Sequence, residues 1–524
     1  MHLFSLSHTS SLPVDATHYV GKWHAGFSDP SATPSARGFD TSCGFFMKAH
    51  HHFSHCSYLG YEFALKQHTS CRSAPSNRSI PLLDYFEGTA STGDIALGAA
   101  SPLVANRTYS THLFARKAVG IIQSHEARPA NPLFLLLSLS ATHKPFLAPA
   151  GLAQRAALAH HGRYFHQCAW TAGSPAKCRS QHRKGYEAMA VGVDDLVGEL
   201  RAALTVKDMW DHTLMIFASD NGGPIGPQES GLPRLQLMSS SHPHGPTHTQ
   251  VSLSHSPTLP IPNVSQASNL PLRGGKDSNL EGGVRTLAAL GGGWLPSSVR
   301  GLSSHAFMHE SDWFVTLAHV AGAPSSADER AAALGLPPVD GFNLFPSWRA
   351  LAEARLPTTS PARSSIGAPR TLVLATRFGL PGTPYGGTSA LIDVQSSSSA
   401  FKLIRGVVCE CPECRPCMHC NASGGGCVFD VMSDPSERHD LAGERPELLA
   451  ALNAKLDVAV ATKFIDLDPV NQECWQYPKD DPDHWMEVAL ARNAVMQPWL
   501  KTPARRGAKP RMLYPSLKRG KVKG

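Results

Sequence analysis

Four short stretches carry side chains that could do chemistry on an anion. In Thr213–Gly223, TLMIFASDNGG, an apolar run stops at Asp220 and Asn221, which set one charged and one neutral oxygen donor side by side. Such hard oxygens suit Ca²⁺, with Mg²⁺ as the alternative, better than a thiolate-seeking metal. The same Asp-Asn-Gly-Gly is also ordinary turn chemistry. In THYVGKWHAGF, Lys22 and His24 are two residues apart, so an extended strand would turn both to one face with His18 and Val20. A second apolar run, LFLLLSLSATHKPF, ends on Thr142, His143 and Lys144. In NLPLRGGKDSNLEGGVR, glycines flank Lys276, so that main chain and one ammonium could approach an anion closely. Taken singly, each has a structural reading too: a surface lysine beside a packed Trp23, or a satisfied histidine.

Positioning these groups calls for a sheet whose strands end at one edge. Thr213–Phe217 and the run to Leu139 are short and apolar enough to be buried on both faces. Helical spacing links them: Leu113, Phe114, Ala118, Ile121 and Ile122 in Tyr109–Ser124, then Met189, Val193, Leu196, Leu200 and Leu204 in Gly185–Leu204. Asp194, Asp195 and Glu199 face outward there as a solvated face. His309–Gly322 reads as a capped helix started by Ser311 or Asp312. Alternating strands and helices predict an α/β domain with a mostly parallel central sheet. A smaller domain follows, with FKLIRG and CVFDVMSDPSERHDL as neighbouring strands.

The expected division is an irregular N-terminus over 1–16, the α/β domain over 17–356, a smaller domain over 369–480 and a basic tail over 481–524. Pro224–Ser268 holds eight Pro and nine Ser with only Glu229 and Arg234 charged, the composition of a looped-out, low-complexity insertion. The chain has 524 residues and a net charge of +7, but nine Lys or Arg and no acid lie after residue 500. The body before them is close to neutral, which excludes a nucleic-acid role by charge. No apolar run is long enough to cross a membrane.

Twelve cysteines and sequons at Asn77, Asn106, Asn263 and Asn421 point to the secretory route, lysosomal or extracellular, although no signal peptide precedes the body. Cys56 with Cys71, and Cys168 with Cys178, flank loops that disulfides could close. Cys409, Cys411, Cys414, Cys417 and Cys420 have a spacing open to zinc or to disulfides, and the sequons favour disulfides. His50, His51 and His52 look like a metal tract, but consecutive residues cannot all face one ion.

Together the blocks GKWHAG, RGFD, ATHKPF, FASDNGG, PLRGGK with EGGVR, HESDW and VFDVMSDPSERHDL resemble the sulfatase family, closest to its arylsulfatase B-like branch. The resemblance implies an alkaline-phosphatase-like α/β sandwich with a smaller C-terminal antiparallel sheet. It also implies hydrolysis of sulfate esters of carbohydrates or arenes. Asp220 and Asn221 would bind Ca²⁺, Lys22 and His24 would contact a hydrated formylglycine and the sulfate, and His143 and Lys276 would hold the sulfate and help the leaving oxygen depart. The family's formylglycine arises from a cysteine in Cys-x-Pro-Ser-Arg, which does not occur here; Cys71 begins CRSAPSNR. An early Asp-Asp pair and the first βαβ portion are likewise without counterparts. The expectation is an N-terminally truncated copy that lacks central strands, folds poorly and does not turn over sulfate esters. The alternatives are a non-catalytic anion-binding pseudoenzyme, or a phosphatase or phosphodiesterase of the same superfamily.

Overall fold

The computed structural model describes residues 2–7, 16–27, 30–47, 50–58, 81–96, 106–127, 131–159, 181–225, 267–304, 306–322, 338–348, 370–374, 388–396, 398–410, 417–420 and 425–462. In chain order the first domain contains β1 (His2–Ser7), β2 (Ala16–Lys22), β3 (Thr41–Phe45), β4 (Cys56–Tyr58), β5 (Pro81–Leu83), β6 (Phe86–Thr89) and β7 (Gly93–Ala96). Helix α1 (Ser110–Ser124), β8 (Leu133–Ser138), α2 (Ala150–Ala159), α3 (Gln181–Val206), β9 (Thr213–Ala218), α4 (Glu281–Val284), β10 (Ala288–Gly291) and α5 (Ser311–Val320) follow. The main sheet has the order β10-β9-β1-β8-β2-β3-β6-β7.

This sheet is mixed. β2 is parallel to β3 and to β8, while β1 is antiparallel to both β8 and β9. The strands β2, β3, β8 and β9 therefore share one direction, and β1, β6 and β10 run against them. The segment expected to be irregular supplies β1, with Phe4 opposite Leu136 on one side and Ile216 on the other. Two apolar strands with open main-chain edges leave a slot that any extended segment can pair into, since ladder bonds need only backbone N–H and C=O.

β9 is buried on both faces, as its continuous apolar run requires, and β8 buries one face fully and the other in part. Leu133, Leu135 and Leu137 face α1 and α3, where Leu113, Phe114, Ala118, Met189, Val193, Leu196 and Leu200 form the core. Leu214 and Ile216 point the other way, against Leu317 and Val320 of α5. Truncating one of these leucines to alanine would cost about 2–5 kcal/mol. Two glycines let the three strands beside Lys22 close tightly: a Cβ on Gly21 would overlap the Ser138 carbonyl oxygen, and one on Gly44 the Gly21 carbonyl oxygen. The long solvated face of α3 is tied down by Arg155 of α2, paired with Asp195 at 2.5 Å.

The second domain is built on an antiparallel sheet of β11 (Arg370–Val373), β12 (Ser389–Ser396), β13 (Ser399–Arg405) and β16 (Cys427–Asp430), with β14 (Val407–Val408) and β15 (Met418–His419) as a side ribbon. Phe401 pairs with Asp430, so the two expected strands are neighbours. One face packs Leu391, Leu403 and Val428 under Leu452 and Leu456 of α6 (Pro446–Thr462). The other holds Ile392, Val394, Ile404 and Phe429, and receives Leu280 from the first domain.

The cysteine cluster resolves into disulfides Cys409–Cys417 and Cys420–Cys427. Cys56 is also disulfide-bonded; Cys71, Cys168, Cys178, Cys411 and Cys414 lie outside the described residues. Most of the low-complexity insertion and the whole basic tail also lie outside them. The insertion's ends meet, with Ala267 N–H donating to the Pro224 carbonyl at 3.0 Å.

Candidate active site

Because β2, β8 and β9 run in one direction, their carboxyl ends share an edge of the sheet, the side where open α/β sheets place ligands. Lys22 is the last residue of β2, and its carbonyl accepts the Tyr19 hydroxyl. His143 follows β8 and Asp220 follows β9. Lys276 arrives from the other direction on the glycine-rich loop, whose backbone packs on the loop after β9. The Lys276 N–H donates to the Gly223 carbonyl at 3.1 Å, and the Gly222 N–H to the Gly283 carbonyl at 2.9 Å. A Cβ on Gly222 would overlap the Gly282 carbonyl oxygen, so that approach needs glycine. Asn269 fastens the pair: its Nδ2 donates to the carbonyls of Gly223 at 2.8 Å and Gly274 at 3.0 Å, and its Oδ1 accepts the Gly223 N–H at 3.0 Å.

The cluster is electrostatically coupled. Burial pushes the His143 imidazole down to about 3, and the positive charges of Lys276, Lys22 and Lys144 add to the effect. The ring is therefore neutral. Its Nδ1 lies 2.9 Å from the Lys144 carbonyl, which can only accept, so Nδ1 carries the proton and Nε2 presents a lone pair. For Asp220, burial alone would raise the carboxyl, but positive charges, Lys276 and Lys22 among them, outweigh it and hold the group below the usual carboxylate range. Lys22, His143, Asp220 and Lys276 thus feel one another across one small volume. Asp220, Asn221 and Lys276 border a cleft of about 1940 Å³ that runs toward the second domain, past Trp294 and Arg370.

His24 stands apart from this alternation. β2 stops at Lys22, and His24 is exposed in a left-handed turn at φ 45°, with its N–H on the Phe46 carbonyl at 3.0 Å. Asn221 turns its Nδ2 to the Gly222 carbonyl at 2.8 Å, and its N–H donates to Asp220 Oδ1 at 2.9 Å. The donors at Asp220 and Asn221 have the right chemistry for Ca²⁺. That ion takes about six to eight oxygens, and among the described residues no group of three or more His, Cys, Asp or Glu could hold one. The two residues supply part of a shell and do not fit the ion as a complete site.

The family model for Sulfatase matches residues 16–323, which span β2 to just beyond α5. This chain belongs to the sulfatase family. It is 23% identical over 472 residues to Arylsulfatase J of Mus musculus, an alignment covering 87% of this chain and 62% of that protein. With N-acetylgalactosamine-6-sulfatase of Homo sapiens it shares 23% identity over 334 residues, covering 63% of this chain and 45% of that one. The chain therefore spans less than two thirds of the length of the curated relatives it matches. Among solved structures, Ps i-CgsB in complex with k-i-k-neocarrahexaose superposes with a TM-score of 0.53 at 20% identity, covering 89% of this chain and 77% of that one. The PsFucS1 sulfatase from Pseudoalteromonas sp. gives 0.50 at 17% identity, covering 86% and 71%. The sulfatase fold, an alkaline-phosphatase-like α/β sandwich with a separate C-terminal antiparallel sheet, is thereby established for this chain.

Two residues that shape this candidate site were not singled out from sequence. Asn269 opens the NLPLRGGK block, and a polar residue directly before a Gly-rich loop is a signal that could have marked it. Leu280 carries no chemical group that would mark it in the sequence, yet it is fully buried in the second domain's core and anchors the Lys276 loop there.

Proposed function

We propose that these 524 residues bind the sulfuryl group of a sulfate ester, borne by a carbohydrate or an arene, between Lys22, His143 and Lys276, and do not by themselves turn it over. The observation that supports this reading most is the meeting of two lysines and a neutral histidine at the carboxyl edge of β2 and β8. Breaking a sulfate ester spreads negative charge over the sulfuryl oxygens and the departing oxygen, and fixed cations stabilise that charge best. Lys22 and Lys276 would carry this load, with His24 at the rim. Burial is the main reason His143 is neutral; an anion bound between the lysines would offset their smaller, repulsive share and favour its protonation. Its Nε2 then takes up a proton and can donate it to the leaving oxygen.

Asp220 and Asn221 are proposed as two of the ligands of a Ca²⁺, or Mg²⁺, which when bound would act as a Lewis acid on the sulfuryl oxygens. Their set is incomplete, and no step is built on the ion. The Cys-x-Pro-Ser-Arg motif that would supply the family's nucleophile does not occur in the sequence. Cys43 is free but buried, with its thiol pushed up to about 12, first by burial; it sits inside β3 and packs in the hydrophobic core. The disulfides and the exposed sequon residue Asn106 support a secretory route.

Incubation with 4-nitrophenyl sulfate and, separately, 4-nitrophenyl phosphate tests the reading. Expected are saturable binding of the sulfate ester and no nitrophenol from either compound. Release from the sulfate ester would overturn the claim of no turnover; release from the phosphate ester alone would favour a phosphatase.

A further inference from the structure

The histidine-rich segment before β4 has a role that metal binding does not explain. His52 is fully buried. Its Nε2 lies 3.2 Å from the His143 carbonyl, and its Nδ1 lies 2.7 Å from the Ser110 hydroxyl. A carbonyl can only accept, so Nε2 carries the proton; in a neutral ring Nδ1 is then the acceptor and the Ser110 hydroxyl donates. Burial holds the ring neutral, down to about 4. The Ser110 N–H also donates to the His52 carbonyl at 2.8 Å. Ser110 is the first residue of α1, itself fully buried, and α1 is locked into the main core through Leu113, Phe114, Ala118 and Ile122. The His52 ring is wedged beside His50 and Tyr109, each with its ring centroid 5.7 Å away.

We infer that His52 is a positioning residue for His143: it ties the main chain of the anion-binding loop to the rigid N-terminus of α1 and so fixes where the His143 ring sits. A core histidine with satisfied nitrogens would have this burial and these bonds too. What distinguishes His52 is its target, the carbonyl of the very residue whose ring feels the charges of Lys276 and Lys22. That carbonyl belongs to a loop with its own short turn, in which the His143 N–H donates to the Ser140 carbonyl at 2.7 Å. The His52 bond is a hydrogen-bonded connection from this turn to the helix layer, beside the packing of Phe146 on Tyr186 of α3.

The inference rests on the sulfate-binding reading, and its test separates the two. The full chain is labelled with ¹⁵N-histidine and titrated with potassium sulfate, as wild type and as His52→Phe, His52→Gln, Ser110→Ala and Lys276→Ala. In His52→Phe, which keeps a ring but loses both bonds, the His143 nitrogen signals should move toward tautomer averaging and sulfate affinity should fall about tenfold, as for other partners that orient a ligand-binding histidine. Gln can donate to the His143 carbonyl and accept from Ser110, so His52→Gln should stay within about threefold. Ser110→Ala should show a smaller change in the same direction, and it decides the matter if His52→Phe fails to fold. An unchanged His143 nitrogen pattern in a folded His52→Phe, or in Ser110→Ala where that variant is decisive, overturns the positioning role. If the wild type does not bind sulfate, or Lys276→Ala binds it equally, the sulfate reading fails instead, and the nitrogen pattern still decides the role of His52.

Discussion

Lys402 Nζ lies 2.7 Å from Glu281 Oε1, with neither side chain reaching solvent. The same ammonium lies 2.8 Å from Glu437 Oε1, and the Glu281 N–H donates to Glu437 Oε2 at 2.5 Å. Lys402 belongs to β13 and Glu281 opens α4, five residues after Lys276, so the second domain grips the Lys276 loop through a buried charge. A buried ion pair is weak evidence for net stability, but removing one partner strands the other.

Lys402→Met should therefore destabilise the chain by about 3–5 kcal/mol, because Glu437 would remain in the interior without its cation and Glu281 would keep only the half-exposed Arg285, 3.8 Å away. Urea unfolding followed by tryptophan fluorescence would show a lower midpoint. An unchanged midpoint would mean that water reaches the trio.

Acid should weaken the fold. Burial holds His51, His52 and His55 at about 4 and His143 at about 3, and His50 is also well below its ordinary value of 6.5. Between those values and 6.5 the unfolded chain binds more protons than the folded one. Stability is thus full above about pH 6.5 and declines as pH falls through that window, by up to about 1.4 kcal/mol per pH unit for each buried histidine. Glu437, raised by burial against the pull of Lys402, acts in the opposite sense at the acid end, since its contribution is present below its ordinary value of 4.5 and is lost as pH rises. Thermal melts from pH 7.5 to 4.5 should show a falling Tm; a flat profile would contradict neutral burial of the cluster.

Asn269→Ala should cost about 1–3 kcal/mol, because it leaves partly buried main-chain groups of Gly223 and Gly274 unpaired. It should also weaken sulfate binding, since Lys276 hangs on the same Gly223 carbonyl. Calorimetry on the folded variant would reveal both; wild-type sulfate affinity would show that the loop holds its shape without Asn269.

Strands and helices with long, strictly periodic cores were legible from sequence. β9, α1 and α3 sit within a few residues of their expected limits because Leu196, Leu200 and Leu204 repeat at the helical period and Leu214–Phe217 is a continuous apolar run. β1 was not legible: HLFSLS is short, and its pairing partners lie more than 120 residues away. Lys276 and Asp220 could be read because the glycines around them are local features of the chain. His24 could not, since its left-handed turn depends on the carbonyl of Phe46, in a neighbouring part of the fold. His52 looked like a failed metal ligand, because what it binds is a main-chain carbonyl 91 residues away, which leaves no mark in side-chain spacing.

The central claim is that Lys22 and Lys276 hold a sulfuryl group together with His143. Calorimetric titration of the 524-residue chain with 4-nitrophenyl sulfate at low salt, repeated with Lys22→Ala and Lys276→Ala, tests it most directly. The account predicts saturable binding that each variant weakens by about tenfold or more, as loss of a charge-assisted hydrogen bond should. Equal affinity in all three proteins would contradict it.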